Sequence, residues 1–221
     1  MSKHLTTQME HLNTLFLALS KTVEDNFDKC IYALEKDDVE ISRQLIDGDD
    51  EIDKREIEIE EECLKILALY QPVAIDLRVI VSILKVNSDL ERIGDLTGNI
   101  CSRIIRMSDF EIFTFKDFLV EMAQKVRTIL QDSIRAFMEK DGVLALDVLK
   151  QDSEIDELHA SMYKMSQAKM SEEVENIPYY VNCITVTRFL ERIADHAKNI
   201  AEDLYYMIHG EIIRHEDIAK F

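Results

Sequence analysis

Two stretches a hundred residues apart read almost alike: LERIGDLTGNI at 90–100 and LERIADHAKNI at 190–200, identical at seven of eleven positions. The repeat extends outward. EKDDV at 35–39 returns as EKDGV at 139–143, DDEID at 49–53 returns as DSEID at 152–156, and Pro72 has a counterpart in Pro178. A unit of about a hundred residues used twice constrains the fold to two similar halves, each burying its own apolar faces. The chain has 221 residues, with only five Gly and two Pro, so long helices are expected.

Apolar spacing bears this out along the chain. Leu12, Leu15, Phe16 and Leu19 open a first helix that should run to about Leu34. Val39, Ile41, Leu45 and Ile46 suit a short helical link, and a long helix follows from Asp49 to Tyr70. Pro72 stops it and suits the first turn of the next helix, which should end near Met107. The segment 108–118 reads as the joint between halves, covered by Phe110, Phe113, Phe115 and Phe118. Pro178 opens the last helix. Because Pro178 lies closer to its acidic stretch than Pro72 does, that helix should start later by more than one turn. The expected fold is all-α: two tandem, pseudo-symmetric antiparallel three-helix bundles, six main helices, placed end to end, with domains at 1–108 and 109–221.

Within each repeated stretch the apolar stripe is clear. Val86, Leu90, Ile93, Thr97, Ile100 and Ile104 form one face, and Val186, Leu190, Ile193, Ala197, Ile200 and Leu204 repeat it. Glu91 and Asp95 stack one turn apart at the margin of that face, and Asn99 extends the line; Glu191, Asp195 and Asn199 do the same. The preceding helix offers Asp49, Asp53 and Glu56, matched by Asp152, Asp156 and His159. Like charges at i,i+4 cost a helix roughly 0.2–0.5 kcal/mol per pair, and burial adds to that. A hard multivalent cation such as Mg, Mn or Ca, with Fe also compatible, would offset the cost. The competing reading is an ion-paired solvated edge, with Arg92 on Asp95 and Arg192 on Asp195 at i,i+3. Spacing alone leaves the two evenly balanced.

Composition narrows the rest. A net charge of −18 makes nucleic-acid binding improbable. No apolar run reaches 18 residues, and the N-terminal stretch lacks a continuous apolar region, so a cytosolic protein is expected. Cys30, Cys63, Cys101 and Cys183 form no CxxC pair and read as reduced core thiols. No P-loop or nucleophile-elbow pattern occurs.

GDDEID, QPVAIDLR, DLERIGDLTGNI and FLERIADHAKNI together resemble the PhoU family of phosphate-signalling proteins, from the EKDD segment through GEIIRH. The resemblance implies two three-helix bundles and metal clusters on paired E(D)xxxD faces. The metal is iron first, with Mg, Mn, Ca or Zn as alternatives, and it is expected to be multinuclear. By position the ligands would be Asp49, Asp53, Glu91 and Asp95 in the first half and Asp152, Asp156, Glu191 and Asp195 in the second. Glu56, His159, Asn99 and Asn199 are candidate additions. It also implies a non-enzymatic cytoplasmic regulator, an adaptor between the high-affinity phosphate ABC transporter and a sensor histidine kinase that represses the phosphate-starvation response. A homodimer is implied, with membrane association only through partners. The alternative is a carboxylate-bridged di-iron oxidase or iron-storage bundle; the sequence lacks the Glu-x-x-His pairs such bundles use, and Asp156–His159 is the nearest spacing.

Overall fold

The two EKD segments turn out to be the places where a long helix stops and a short one starts. In the first, α1 (Lys3–Lys36) ends, Asp37 takes a left-handed φ of 54°, and the Asp38 amide donates back to the Ala33 carbonyl at 3.0 Å. The Asp38 carboxylate then caps α2 (Val39–Asp47) by accepting from the Ile41 amide at 3.0 Å. The second repeats the device: α5 (Lys116–Glu139) ends, Lys140 is left-handed at 57°, and the Asp141 amide reaches Ala136 at 2.9 Å. Asp141 caps α6 (Gly142–Lys150) through the Val143 and Leu144 amides. An amide bonding five residues back satisfies the closing carbonyls of one helix, and the aspartate satisfies the opening amides of the next.

The computed structural model describes residues 3–112 and 114–213, the side chains of Lys3 and Asp152 excepted. Among them the secondary structure is entirely helical. α3 (Asp50–Tyr70) and α4 (Ile75–Met107) complete the first half; α7 (Asp152–Glu172), a 3-10 turn (Val174–Asn176) and α8 (Ile177–His209) complete the second. Each half is a three-helix bundle, α1/α3/α4 and α5/α7/α8, with a short helix added at α2 and α6. All four cysteines are free and buried.

The halves lie side by side, not end to end. The most extensive helix–helix contact in the molecule is α4 against α8. They run antiparallel over nearly their whole length. Arg78 Nε donates to the Met207 carbonyl (3.3 Å), Lys85 Nζ meets Asp203 Oδ1 (3.0 Å), His196 Nδ1 meets Asp89 Oδ1 (2.8 Å), and Arg103 faces Asn182 (3.4 Å). α1 and α5 close the other side, with Phe16 and Phe137 rings 5.1 Å apart and Arg127 on Asp28 at 2.8 Å. The buried apolar side chains of both halves therefore form one continuous cluster. α3 and α7 pack on the outside, α3 on α1 and α4, and α7 chiefly on α8.

Two expectations about the prolines differ from what is found. Pro178 does sit in the first turn of α8, but Pro72 lies in the loop before α4, which opens at Ile75. The motif helices then begin at nearly the same register, Ile75 being sixteen residues before Glu91 and Ile177 fourteen before Glu191. Of the six extra residues between Pro72 and Glu91, four fall in the turn, where Ala74 takes a positive φ of 52°, and two lengthen the start of α4. At the joint, Phe110 packs on Tyr179 (6.0 Å) and Phe115 on Tyr180 (5.6 Å), while Phe118 is half-buried against the core. Phe113 lies outside the described residues.

The Asp203 side chain is 2% exposed and Lys85 neutralises it across the α4–α8 seam, with Lys85 also lying over the Tyr206 ring at 5.0 Å. Lys85→Met removes the ammonium that faces this buried carboxylate and should cost roughly 3 kcal/mol. Urea unfolding of the two proteins at neutral pH measures it; a difference within 0.5 kcal/mol, about what an exposed ion pair contributes, would show that the seam does not depend on the pair.

Candidate acidic site on the outer edge of each half

α3 and α4 meet along an edge that begins where Gly94 lets α3 approach. A Cβ at Gly94 would stand 2.7 Å from Ile52 Cδ1, and 3.7 Å from an Asp49 carboxylate oxygen. Gly98, one turn on, has open space at that position. Asn87 ties the same two helices further along by donating to the Glu56 carbonyl at 2.9 Å. The close approach brings Asp49, at the entrance to α3, and Asp53 and Glu56 on it, opposite Glu91 and Asp95 of α4.

These carboxylates act on one another. Burial, then the charges of Asp95, Asp53 and Asp50, raise the Asp49 carboxyl above its ordinary range. Burial, then Asp95, raise Glu91, with Asp53 and Glu56 adding to it. Glu56 is raised by burial first, then by Glu60 and Asp53. Arg92 does form the ion pair read from the sequence, with Asp95 at 3.0 Å, and it also meets Glu91 at 3.3 Å. It is 58% exposed, and the Glu91 shift stays upward despite it. Burial leads each of these shifts and the neighbouring carboxylates add to it, so Arg92 offsets the mutual repulsion only in part.

The positions differ in depth. Asp49, Glu56, Glu91 and Asp95 are half-buried, as the core-margin expectation requires, whereas Asp53 and Asn99 are exposed. In the second half Glu191 and His159 are half-buried, but Asp156 and Asp195 are exposed; the Asp152 side chain lies outside the described residues. His159 Nδ1 is engaged by Thr187 Oγ1 at 2.9 Å, the position that Asn87 occupies in the first half. Asn199 is committed elsewhere, donating to Asp89 Oδ1 at 3.1 Å beside His196. Among the described residues no three His, Cys, Asp or Glu side chains already stand together at ligating distances.

The donor set of the first half is all carboxylate, which fits a hard or borderline cation and not a thiolate-preferring one. Asp49, Asp53, Glu91 and Asp95, with Glu56 beside them, would hold it, and the charge it supplied would remove the mutual repulsion. A cavity of about 250 Å3 lies elsewhere, at the joint between Leu34, Met107, Phe110, Leu119 and Tyr179.

Sequence reasoning missed the Asp89–His196–Asn199 cluster and the Lys85–Asp203 pair. Both cross between halves, so neither follows the repeat: Phe189 stands where Asp89 would recur, and Leu96 where His196 would. For Asp89 and His196 a polar residue opposite an apolar one at the matching position was the available signal; Lys85 and Asp203, matched by Thr185 and Arg103, gave none.

Comparison with known proteins gives consistent matches. The family model described as the PhoU domain matches twice, over residues 16–104 and 119–204. A relative from Aquifex aeolicus, described as a phosphate-specific transport system accessory protein PhoU homolog, is 36% identical, covering 96% of each chain. The Escherichia coli K12 protein, described as phosphate-specific transport system accessory protein PhoU, is 27% identical over 97% of this chain and 91% of its own. The crystal structure of PhoU from Pseudomonas aeruginosa superposes with a TM-score of 0.90 at 34% identity, covering 93% of this chain and 99% of the other.

The raised carboxyls give a pH signature in metal-free protein. Where the folded pKa lies above the unfolded value of about 4, the folded state holds more protons between the two. Stability from these groups is then fully present below the unfolded value and lost as pH rises through the folded one. Asp49→Asn with Glu91→Gln should therefore be more stable than the parent at pH 7, and the gap should close as pH falls toward 4. Chemical denaturation from pH 7 to 4 measures it; parallel curves would remove the mutual-repulsion account.

Proposed function

The chain belongs to the PhoU family, and from that membership we propose that it regulates phosphate uptake and signalling from the cytoplasm. It would do so as an adaptor between the phosphate transporter and a sensor histidine kinase. The observation that carries this is the double domain match, which takes in both halves and both acidic stretches. The relatives are described as accessory to a phosphate-specific transport system, and a further structural neighbour from Streptococcus pneumoniae, with a TM-score of 0.87 at 29% identity, is described as a regulatory protein of phosphate transport. No described helix is long and apolar enough to cross a membrane, which is compatible with docking onto membrane partners from one side. The reading assigns the protein no catalysis, and it includes a homodimer and the division of the chain at 108/109.

Metal belongs to the same proposal. Five carboxylates from two helices repel one another at the first edge, and a multivalent cation there would clamp α3 to α4 and so fix the outer face that a partner reads. The second half would hold a different site, because His159 stands where the first half has Glu56 and Asp195 is exposed where Asp95 is half-buried. The di-iron oxidase reading is less well supported, since such a bundle supplies carboxylates from four helices with a Glu-x-x-His imidazole on two of them, and this sequence has no Glu-x-x-His, the first half offering Glu56 where the second has His159.

Deleting the gene should leave phosphate-starvation genes active in high phosphate; silence of those genes in the deletion strain would overturn the regulatory reading. For the metal, elemental analysis of protein purified without chelator should find bound metal. The variant Asp49→Asn, Asp53→Asn, Glu91→Gln, Asp95→Asn should lose most of it. Full retention in that variant would place the metal elsewhere.

A further inference from the structure

The imidazole of His159 is held by a hydrogen bond that decides which of its nitrogens is left to act. Nδ1 lies 2.9 Å from Thr187 Oγ1, across from α7 to α8. Thr187 is fully buried, and its hydroxyl also stands 2.9 Å from the Ile184 carbonyl, three residues back on its own helix. A hydroxyl has one proton to give, and a carbonyl oxygen can only accept. The Thr187 proton therefore goes to Ile184, and the other contact is Nδ1–H donating to Oγ1. This makes the neutral ring the Nδ1–H tautomer and puts the free lone pair on Nε2. A metal-ligating histidine is normally held in this manner, its second nitrogen donating to a neighbouring oxygen that fixes the ring.

Carboxylates flank the ring on both helices. Asp156 lies three residues before His159 on α7, and Glu191 lies four residues after Thr187 on α8, so each is one turn away. Glu191 is half-buried, as His159 is. The first half is the internal control. There Asn87 holds the position of Thr187 and Glu56 that of His159, and the Asn87 amide donates to the Glu56 backbone carbonyl at 2.9 Å. That bond ties the two helices without orienting the Glu56 side chain. Joining the outer helix to the inner one thus needs neither an imidazole nor a hydroxyl, and the side-chain pairing in the second half does something more.

We propose that His159 is a nitrogen ligand of the second-half site, binding through Nε2 beside Glu191 and Asp156, with Thr187 as its positioning residue. The inference rests on the metal reading above, and adds which atom binds and which cations it selects. An imidazole beside carboxylates favours Zn, Co or Ni over Mg and Ca more strongly than an all-oxygen edge does. The duplicated scaffold would then carry two sites of different selectivity, set by the residue pairs 56/87 and 159/187.

The test uses the full-length chain carrying Asp49→Asn, Asp53→Asn, Glu91→Gln and Asp95→Asn, so that the second site is read alone. Zn(II) and Mg(II) binding is measured by titration calorimetry, and Co(II) binding by visible absorption. Adding His159→Gln should weaken Zn(II) and Co(II) binding at least tenfold and alter the Co(II) spectrum, with little effect on Mg(II). Thr187→Val should weaken Zn(II) about tenfold, as loss of a hydrogen bond behind a ligand does, and Thr187→Ser should restore it. Nitrogen NMR of isotope-labelled histidine in the metal-free parent, with the His159 signal identified by its loss in His159→Gln, should show the Nδ1–H tautomer. Its Nε2 signal should move when Zn(II) is added. The Nε2–H tautomer, or Zn(II) affinity unchanged by His159→Gln, overturns the ligand; Zn(II) affinity unchanged by Thr187→Val overturns the positioning role. Metal bound by the parent without any dependence on His159 overturns this inference and leaves the metal reading standing. A parent chain that binds none of these cations removes the metal reading and the ligand with it.

Discussion

The antiparallel contact of α4 with α8 is the constraint on which the rest of the molecule depends. Both helices carry an apolar stripe too wide for their own bundle, and each presents the surplus to the other. The buried Asp203 carboxylate and its Lys85 partner lie in that seam, and so do Asp89, His196 and Asn199. Polar groups at such a depth fix register, because sliding either helix by one turn would leave them unpaired. With the centre locked, α1 and α5 close one side, and α3 and α7 are left as outer helices held on one face only. The acidic edges therefore sit on the elements with the least packing around them.

Much of this was legible in the repeat. Helix number, the short links, the buried stripes and the free cysteines followed from spacing and from the scarcity of Gly and Pro. The EKD segments marked breaks, and their aspartates turned out to be caps, as residues of that type before an apolar run should be. What the repeat could not convey was how one half meets the other. Side-by-side packing needs residues that differ between halves, and those are the ones a search for similarity passes over: Asp89 against Phe189, His196 against Leu96, Lys85 against Thr185, Asp203 against Arg103. Of the site, the convergence of Asp49, Asp53, Glu56, Glu91 and Asp95 was readable from helical phase. Depth was not, because phase places Asp195 as it places Asp95, yet the first is exposed and the second half-buried.

The same scaffold consequently carries two unlike edges. In the first half Gly94 lets α3 come close, and the carboxylates feel one another. In the second, Ala194 fills the corresponding place, and Thr187 takes a nitrogen of His159. Pseudo-symmetry in this protein describes the backbone and the core; it does not extend to the charges. A duplicated unit can diverge in this way because the buried stripe alone is sufficient to hold each outer helix, leaving its exposed residues free to take on separate tasks.

That division has a consequence for how metal and partner would influence each other. Asp53 and Glu56 lie on the helix whose outer face a partner would read. A cation bound at the edge can change docking only if it favours one position of α3 over another, and only by the difference in its affinity for the two. The linkage runs both ways: whatever factor the metal adds to docking, a docked partner must add to metal affinity. With carboxylates crowded along a partly desolvated edge, the metal-free position of α3 is the one under electrostatic strain, so relief by a cation and closure of α3 onto α4 would act in the same direction.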